Sequence, residues 1–181
     1  MLMELLNILK EGKVYKEQVR LLYEEAFPEE EKKPFPLMEE YAALGKAEIL
    51  AVEEDGFAGL VMNLLSDDVA LLDYFAIAPD RREGGLGGKV IHKLLERFAC
   101  QTYIFEIEMQ DEVAPNAADR KRRKAFYLRN GLKETGTFAH AYDTDFELLT
   151  PDGKLTYEGY VEALKKLMGK VIRLASPSPI Y

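Results

Sequence analysis

The segment that most narrows what this chain can fold into is Ile77-Ala78-Pro79-Asp80-Arg81-Arg82-Glu83-Gly84-Gly85-Leu86-Gly87-Gly88-Lys89. A strand-like run, Val69 to Ile77, leads into it, and four glycines then fall within five positions. A helix from about Gly88 to Ala99 leads out, with Val90, Ile91, Leu94, Leu95 and Phe98 on one apolar face. Glycine accepts positive φ and lets other groups approach the main chain. At a helix start, where N–H groups lack partners and the dipole favours negative charge, such a turn is an anion site. The residues read as a phosphate-binding turn.

The spacing excludes two common phosphate loops. A nucleoside-triphosphate loop, GxxxxGK[ST], needs glycine where this chain has Glu83 and a hydroxyl residue where it has Val90. A dinucleotide turn, GxGxxG, needs its third glycine at that same Val90. The elements before the turn form a meander, which does not suit a doubly wound parallel sheet.

Along the rest of the chain, Glu4 to Leu9 is either a strand or a short helix. Lys13 to Phe27 reads as a helix with Val14, Gln18, Leu21, Leu22 and Ala26 on its apolar face, and Pro34 to Gly45 as a second helix. The charged connector Glu29-Glu30-Glu31-Lys32-Lys33 is a solvated loop or the border of a substrate cleft. Ala47 to Glu53, Phe57 to Leu65 and Val69 to Ile77 are predicted strands, with Glu54-Asp55-Gly56 as a tight turn. Thr102 to Met109 is a strand, Ala118 to Asn130 a helix closed by Gly131, and Leu132 to Phe138 with Tyr142 to Leu149 a final hairpin. Thr156 to Met168 reads as one more helix. The fold class is α/β (α+β): a mixed, mostly antiparallel central sheet flanked by helices. Residues 1–175 are expected to form a single domain, and 176–181 a loose tail.

Composition narrows the chemistry. Cys100 is the single cysteine, and His92 and His140 lie far apart, so neither an internal disulfide, a metal site nor a Cys–His pair is expected. The formal charge of −8 and pI of about 5.0 argue against nucleic acid and suit a cationic partner such as an amine. No run of about 18 apolar residues and no leader pattern is present, so no membrane association and a cytoplasmic location are expected.

Two motifs carry a resemblance. Arg82-x-x-Gly85-x-Gly87, behind Phe75-Ala76-Ile77-Ala78-Pro79, resembles the pyrophosphate-binding motif of the GNAT superfamily of N-acetyltransferases. Arg123-Lys124-Ala125-Phe126-Tyr127-Leu128-Arg129-Asn130-Gly131-Leu132 is similar to that family's FY-x-x-x-G-F helix end, with Leu132 in place of the usual aromatic. The order of elements is similar too, and the resemblance covers about Val14 to Leu149.

The resemblance implies a fourth and a fifth strand that splay apart to admit the pantetheine of acetyl-CoA. Main-chain groups of Phe75, Ala76 and Ile77 would pair with that arm, and amides from Arg82 through Gly84, Gly85, Leu86 and Gly87 to Gly88 would hold the pyrophosphate. Tyr127 matches the tyrosine that many members use as general acid. The family's asparagine seven residues before it is replaced by Arg120, and Asn116 is the nearest asparagine; both are expected among the cofactor-binding residues. Arg120-Lys121-Arg122-Arg123-Lys124 is a solvated helix face, a nucleic-acid or localisation patch, or a phosphate contact. We favour the last, through Arg120 or Arg123.

An amine must lose a proton to attack a thioester, so a carboxylate or a water chain is expected to accept it. Asp73, Glu106 and Glu108 are the candidates, as base or as anchors for a cationic substrate; alternatively they pair with nearby arginines. The resulting expectation is an acetyl-CoA-dependent N-acetyltransferase acting on a small-molecule or peptide amine in a ternary complex, as monomer or homodimer. The alternative is a non-catalytic acyl-CoA-binding sensor or pseudoenzyme of the same fold.

Overall fold

The computed structural model describes residues 2–141, 143–169 and 178–179. The chain falls into two compact units, Met1–Leu65 with Leu72–Leu94, and Ser66–Leu71 with Leu95–Tyr181. The strands are mostly antiparallel and flanked by helices, as the sequence leads one to expect.

In the first unit the strands run in the order β1 (Glu4–Asn7), β2 (Ala47–Glu53), β3 (Phe57–Leu65), β4 (Val69–Ile77). β1 pairs antiparallel with β2, and β2 with β3. Helices α1 (Lys16–Ala26), α2 (Phe35–Ala43) and α3 (Leu86–Arg97, to Leu94 in this unit) complete it. Ile49, Leu50, Ala51 and Val52 are all fully buried, so β2 is covered on both faces. A buried carboxylate is tolerated there because Asn63, the cross-strand partner of Glu48, donates its amide to Glu48 Oε1 at 3.1 Å. The turn between β2 and β3 places Asp55 at φ +56° and Gly56 at φ +104°, the pair of left-handed residues a tight hairpin needs.

α1 corrects the sequence reading. Lys13–Tyr15 form a 3-10 turn, and the helix begins only at Lys16. Because a 3-10 turn advances by three residues and not 3.6, Val14 is out of phase and exposed. The buried stripe is Val19, Leu22 and Tyr23, and Leu21 faces water.

In the second unit the order is β5 (Thr102–Glu108), β7 (Thr144–Thr150), β6 (Lys133–Ala141), β8 (Ser178–Pro179). Helices α4 (Ala117–Arg129) and α5 (Tyr157–Met168) belong to it. An aromatic chain forms its core: Phe98 against Tyr103 at 4.6 Å between centroids, Tyr103 against Phe105 at 4.5 Å, Phe105 against Tyr127 at 5.4 Å. Gly131, at φ +101°, closes α4.

Two expectations shift. The last hairpin turns beside Asp143, at φ +57°, and not over residues 139–141. Ser178–Pro179 pair with Ala139 and His140 of β6, where a loose tail was expected; residues 176–177 and 180–181 lie outside the described residues. Among the described residues no helix is long and apolar enough to cross a membrane.

Candidate active site

The first unit holds the glycine turn. Gly84 and Gly85 adopt φ +96° and +76°, and nothing lies within 4 Å of where a Cβ would stand on either. These residues are therefore glycine for their backbone conformation and not for lack of space. The turn ends earlier than expected: α3 starts at Leu86, and the amide of Gly88 already donates to Gly85 O at 3.0 Å. Gly88 is thus spent inside the helix. The N–H groups of Gly85, Leu86 and Gly87 precede that first bond and are the donors a helix start leaves open.

Arg82 folds back, donating Nε to Ile77 O at 3.1 Å. Glu54 clamps the turn from outside: its carbonyl accepts from Arg81, and its carboxylate takes Lys89 Nζ at 2.7 Å. The lysine hydrogen bond holds the Glu54 carboxyl below its ordinary pKa. Sequence reasoning had Glu54 only as a turn residue.

Beside the turn, β4 ends in three half-buried residues in a row, Phe75, Ala76 and Ile77, before Ala78 N bonds Ala58 O at 2.9 Å. Gly59 on β3 makes room for them. A Cβ on Gly59 would stand 2.5 Å from Ala76 O and 3.2 Å from Ile77 Cα. That requirement left no motif in the sequence.

Asp73, on β4, is not a free carboxylate. Both its oxygens accept from Lys33 Nζ at 2.7 Å, and the same ammonium lies 5.1 Å from the centre of the Tyr74 ring. The loop carrying Lys33 is fixed by two phenols. Tyr23 Oη donates to Lys33 O and accepts from Lys33 N, while Tyr74 Oη donates to Glu31 O at 2.7 Å. Burial, with Asp73's negative charge beside it, pushes the Tyr74 pKa up to about 12.

The second unit holds Tyr127, Glu106, Glu108, Asn116, Arg120 and Arg123. Tyr127 is 9 % exposed, and burial pushes its phenol up to about 12 against the opposing pull of the Arg123 charge. Its ring packs on Phe105 and Phe126, and no partner for its hydroxyl is found among the described residues.

Glu108 gathers what the sequence left as separate candidates. It accepts from Asn116 Nδ2 at 3.2 Å and pairs with Arg120 at 3.0 Å and Arg123 at 3.1 Å. Arg120 also donates to Asn116 Oδ1 and to Met109 O, each at 2.8 Å, so it fastens the loop between β5 and α4. Glu108 thus has its charge compensated by two guanidiniums, the pairing with arginines held open for it above, and Arg120 is engaged within the protein. Glu106 accepts from Tyr160 Oη at 2.5 Å. Of the rest of the basic run, Arg122 pairs with Asp119, while Lys124 bridges Glu134 and the buried Glu147. Burial pulls the Lys124 pKa down, and the two carboxylates more than offset it.

The sequence model of the Acetyltransferase (GNAT) family matches residues 16–131. A protein of Bacillus subtilis (strain 168), named "Putative acetyltransferase YjbC", is 30 % identical over 116 residues, which is 64 % of this chain and 57 % of that protein. The chain thus spans a little over half the length of this relative. A GNAT-family structure from Bacteroides thetaiotaomicron superposes with TM-score 0.71 at 22 % identity, covering 95 % of this chain and 98 % of that one. The spermidine N-acetyltransferase of Vibrio cholerae, solved with CoA and spermine, superposes with TM-score 0.57 at 12 % identity, over 82 % of this chain and 94 % of that one. The fold and the family agree: this chain belongs to the GNAT acetyltransferase family.

Proposed function

We propose that the protein is an acetyl-CoA-dependent N-acetyltransferase of a small cationic amine, with residues 1–175 as one catalytic domain in the cytoplasm. The observation that carries this reading is the glycine turn. Gly84 and Gly85 take left-handed conformations, open space lies beside them, and α3 offers the unspent amides of Gly85, Leu86 and Gly87. Those donors suit a pyrophosphate. Phe75, Ala76 and Ile77 would hold the pantetheine through their main-chain groups. Arg123, half-exposed, remains the candidate for a cofactor phosphate.

In the reaction the neutral amine attacks the thioester carbonyl, the C–N bond forms, and the C–S bond breaks to release a thiol. Glu106 or water accepts the amine proton, since Glu108 is committed to Arg120 and Arg123. Tyr127 donates its hydroxyl proton toward the departing sulfur. With its pKa near 12, against about 8.5 for an ordinary thiol, it acts chiefly as a hydrogen-bond donor to developing negative charge. The choice of a cationic amine over a peptide is supported by the net charge of −8 and by the polyamine substrate in the name of the Vibrio cholerae neighbour.

Thiol release from acetyl-CoA across an amine panel tests the reading. Acetyl-CoA at 100 times its Kd should also add about 2.7 kcal/mol of stability. Stabilisation without thiol release on any amine would favour the sensor or pseudoenzyme.

A further inference from the structure

Lys33 and Asp73 are separated by 40 residues in sequence, yet the lysine ammonium sits symmetrically on the aspartate, 2.7 Å from each oxygen, and over the face of Tyr74. A carboxylate below and an aromatic face beside is a general recognition geometry for an alkylammonium group. The site is built rather than incidental. Tyr74 is itself held by Tyr23 at 4.9 Å and by Phe27 at 5.0 Å, both edge-on, and its hydroxyl is tied to Glu31 O. Asp73 is only 12 % exposed, whereas the Lys33 side chain is 32 % exposed. The anion is therefore embedded, and the cation reaches it from the solvent side on a flexible stem.

The tyrosine hydroxyls hold Lys33 by its main chain, through N–H and C=O. Neither of these hydrogen bonds uses the ammonium, so a movement of Lys33 Nζ off Asp73 leaves them intact. The neighbours of Asp73 along β4, Phe75 to Ile77, are the residues that would hold the thioester arm.

We propose that Asp73 and Tyr74 form the binding site for the ammonium group of the substrate, and that Lys33 occupies it as a tethered competitor which the substrate displaces. This rests on the acetyltransferase reading for its biological sense, but its physical claim concerns cation binding alone. Lys33 then sets specificity. A tethered ligand competes at a high effective concentration, so only an amine with further contacts to the protein displaces it well.

The experiment is equilibrium binding of n-butylammonium to the full chain without thioester, at constant ionic strength, with butan-1-ol as uncharged control. Lys33→Met keeps much of the stem and deletes the charge, and it should bind n-butylammonium at least tenfold more tightly than the wild type. Lys33→Arg keeps a cation and should behave like the wild type, and Lys33→Met with Asp73→Asn should lose the gain. Equal affinity in wild type and Lys33→Met, or a gain that survives Asp73→Asn, overturns the proposal.

If Lys33→Met does not fold, the wild type decides. The 13Cε signal of Lys33, identified by its loss in Lys33→Arg, should shift with n-butylammonium and not with butan-1-ol; an unmoved signal overturns the proposal. Because binding is read without turnover, absent thiol release would sink the transferase reading and leave this result standing. An active enzyme with unchanged binding would sink only this inference.

Discussion

Gly59 on β3 and Ala76 on β4 meet so closely that a single added methyl would stand 2.5 Å from the Ala76 carbonyl oxygen. Main chain lies against main chain there, so a substituent at Gly59 must move the end of β4. Gly59→Ala should weaken acetyl-CoA and acetyl-pantetheine by the same factor, because it disturbs only the strand that would hold the pantetheine. Overpacking should also lower stability by about 1–3 kcal/mol. Titration with both thioesters checks it, and a loss confined to acetyl-CoA would show that the strand end does not touch the arm.

The glycines of the turn should respond differently to the same change. Gly85→Ala forces an L residue to φ +76° and should lower stability by roughly 1 kcal/mol as well as cofactor affinity. Gly87 lies within α3, where alanine is the better helix former by about 1 kcal/mol. Gly87→Ala should therefore melt no lower than the wild type and still bind acetyl-CoA more weakly. Melting curves paired with calorimetry separate the two.

Arg120 and Arg123 share Glu108 but differ in what else they hold. Arg120 also bonds Asn116 and Met109 O, so Arg120→Ala should cost about 1–3 kcal/mol and weaken all CoA thioesters equally. Arg123→Ala should instead weaken acetyl-CoA more than acetyl-dephospho-CoA. Identical ligand profiles for the two variants would remove Arg123 from phosphate binding.

Tyr127 makes a prediction at alkaline pH. Its phenol ionises near 10 in the unfolded chain and near 12 in the native one, so between those values the unfolded state has released a proton that the native state keeps. The stability linked to it is complete below pH 10 and is lost as pH rises through 12, up to roughly 3 kcal/mol. Tyr127→Phe should abolish that share of the alkaline decline, seen in denaturant titrations from pH 9 to 12. At neutral pH the variant should bind acetyl-CoA while kcat falls by roughly 10²–10⁴. An unimpaired kcat would leave Tyr127 as core packing.

What the sequence disclosed divides along physical lines. The bounds of β2, β3 and β4 follow from alternation and turn residues, which are local properties, and they stand as read. The last hairpin was misplaced because its left-handed turn residue is Asp143 and not a glycine, so no turn motif marked it, and β6 runs on to Ala141. The glycine turn was legible because backbone conformation restricts residue type. The partners of the carboxylates were not: Asp73 meets Lys33 across 40 residues and Glu106 meets Tyr160 across 54, distances over which no periodicity carries information. Gly59 was silent for the same reason, since its constraint is imposed by a neighbouring strand.

The two phenols that grip residues 31–33 do so through peptide groups, which every amino acid but proline supplies in full. The course of the chain at Lys33 is held apart from the side chain that Lys33 bears. Lys32 also holds the segment by its side chain, through Glu24 and Glu29, whereas a substitution of Lys33 changes what stands against Asp73 and leaves the peptide hydrogen bonds in place. If Asp73 binds the ammonium of the substrate, selectivity and stability lie on different atoms of Lys33, and a change of amine is open to a single substitution there.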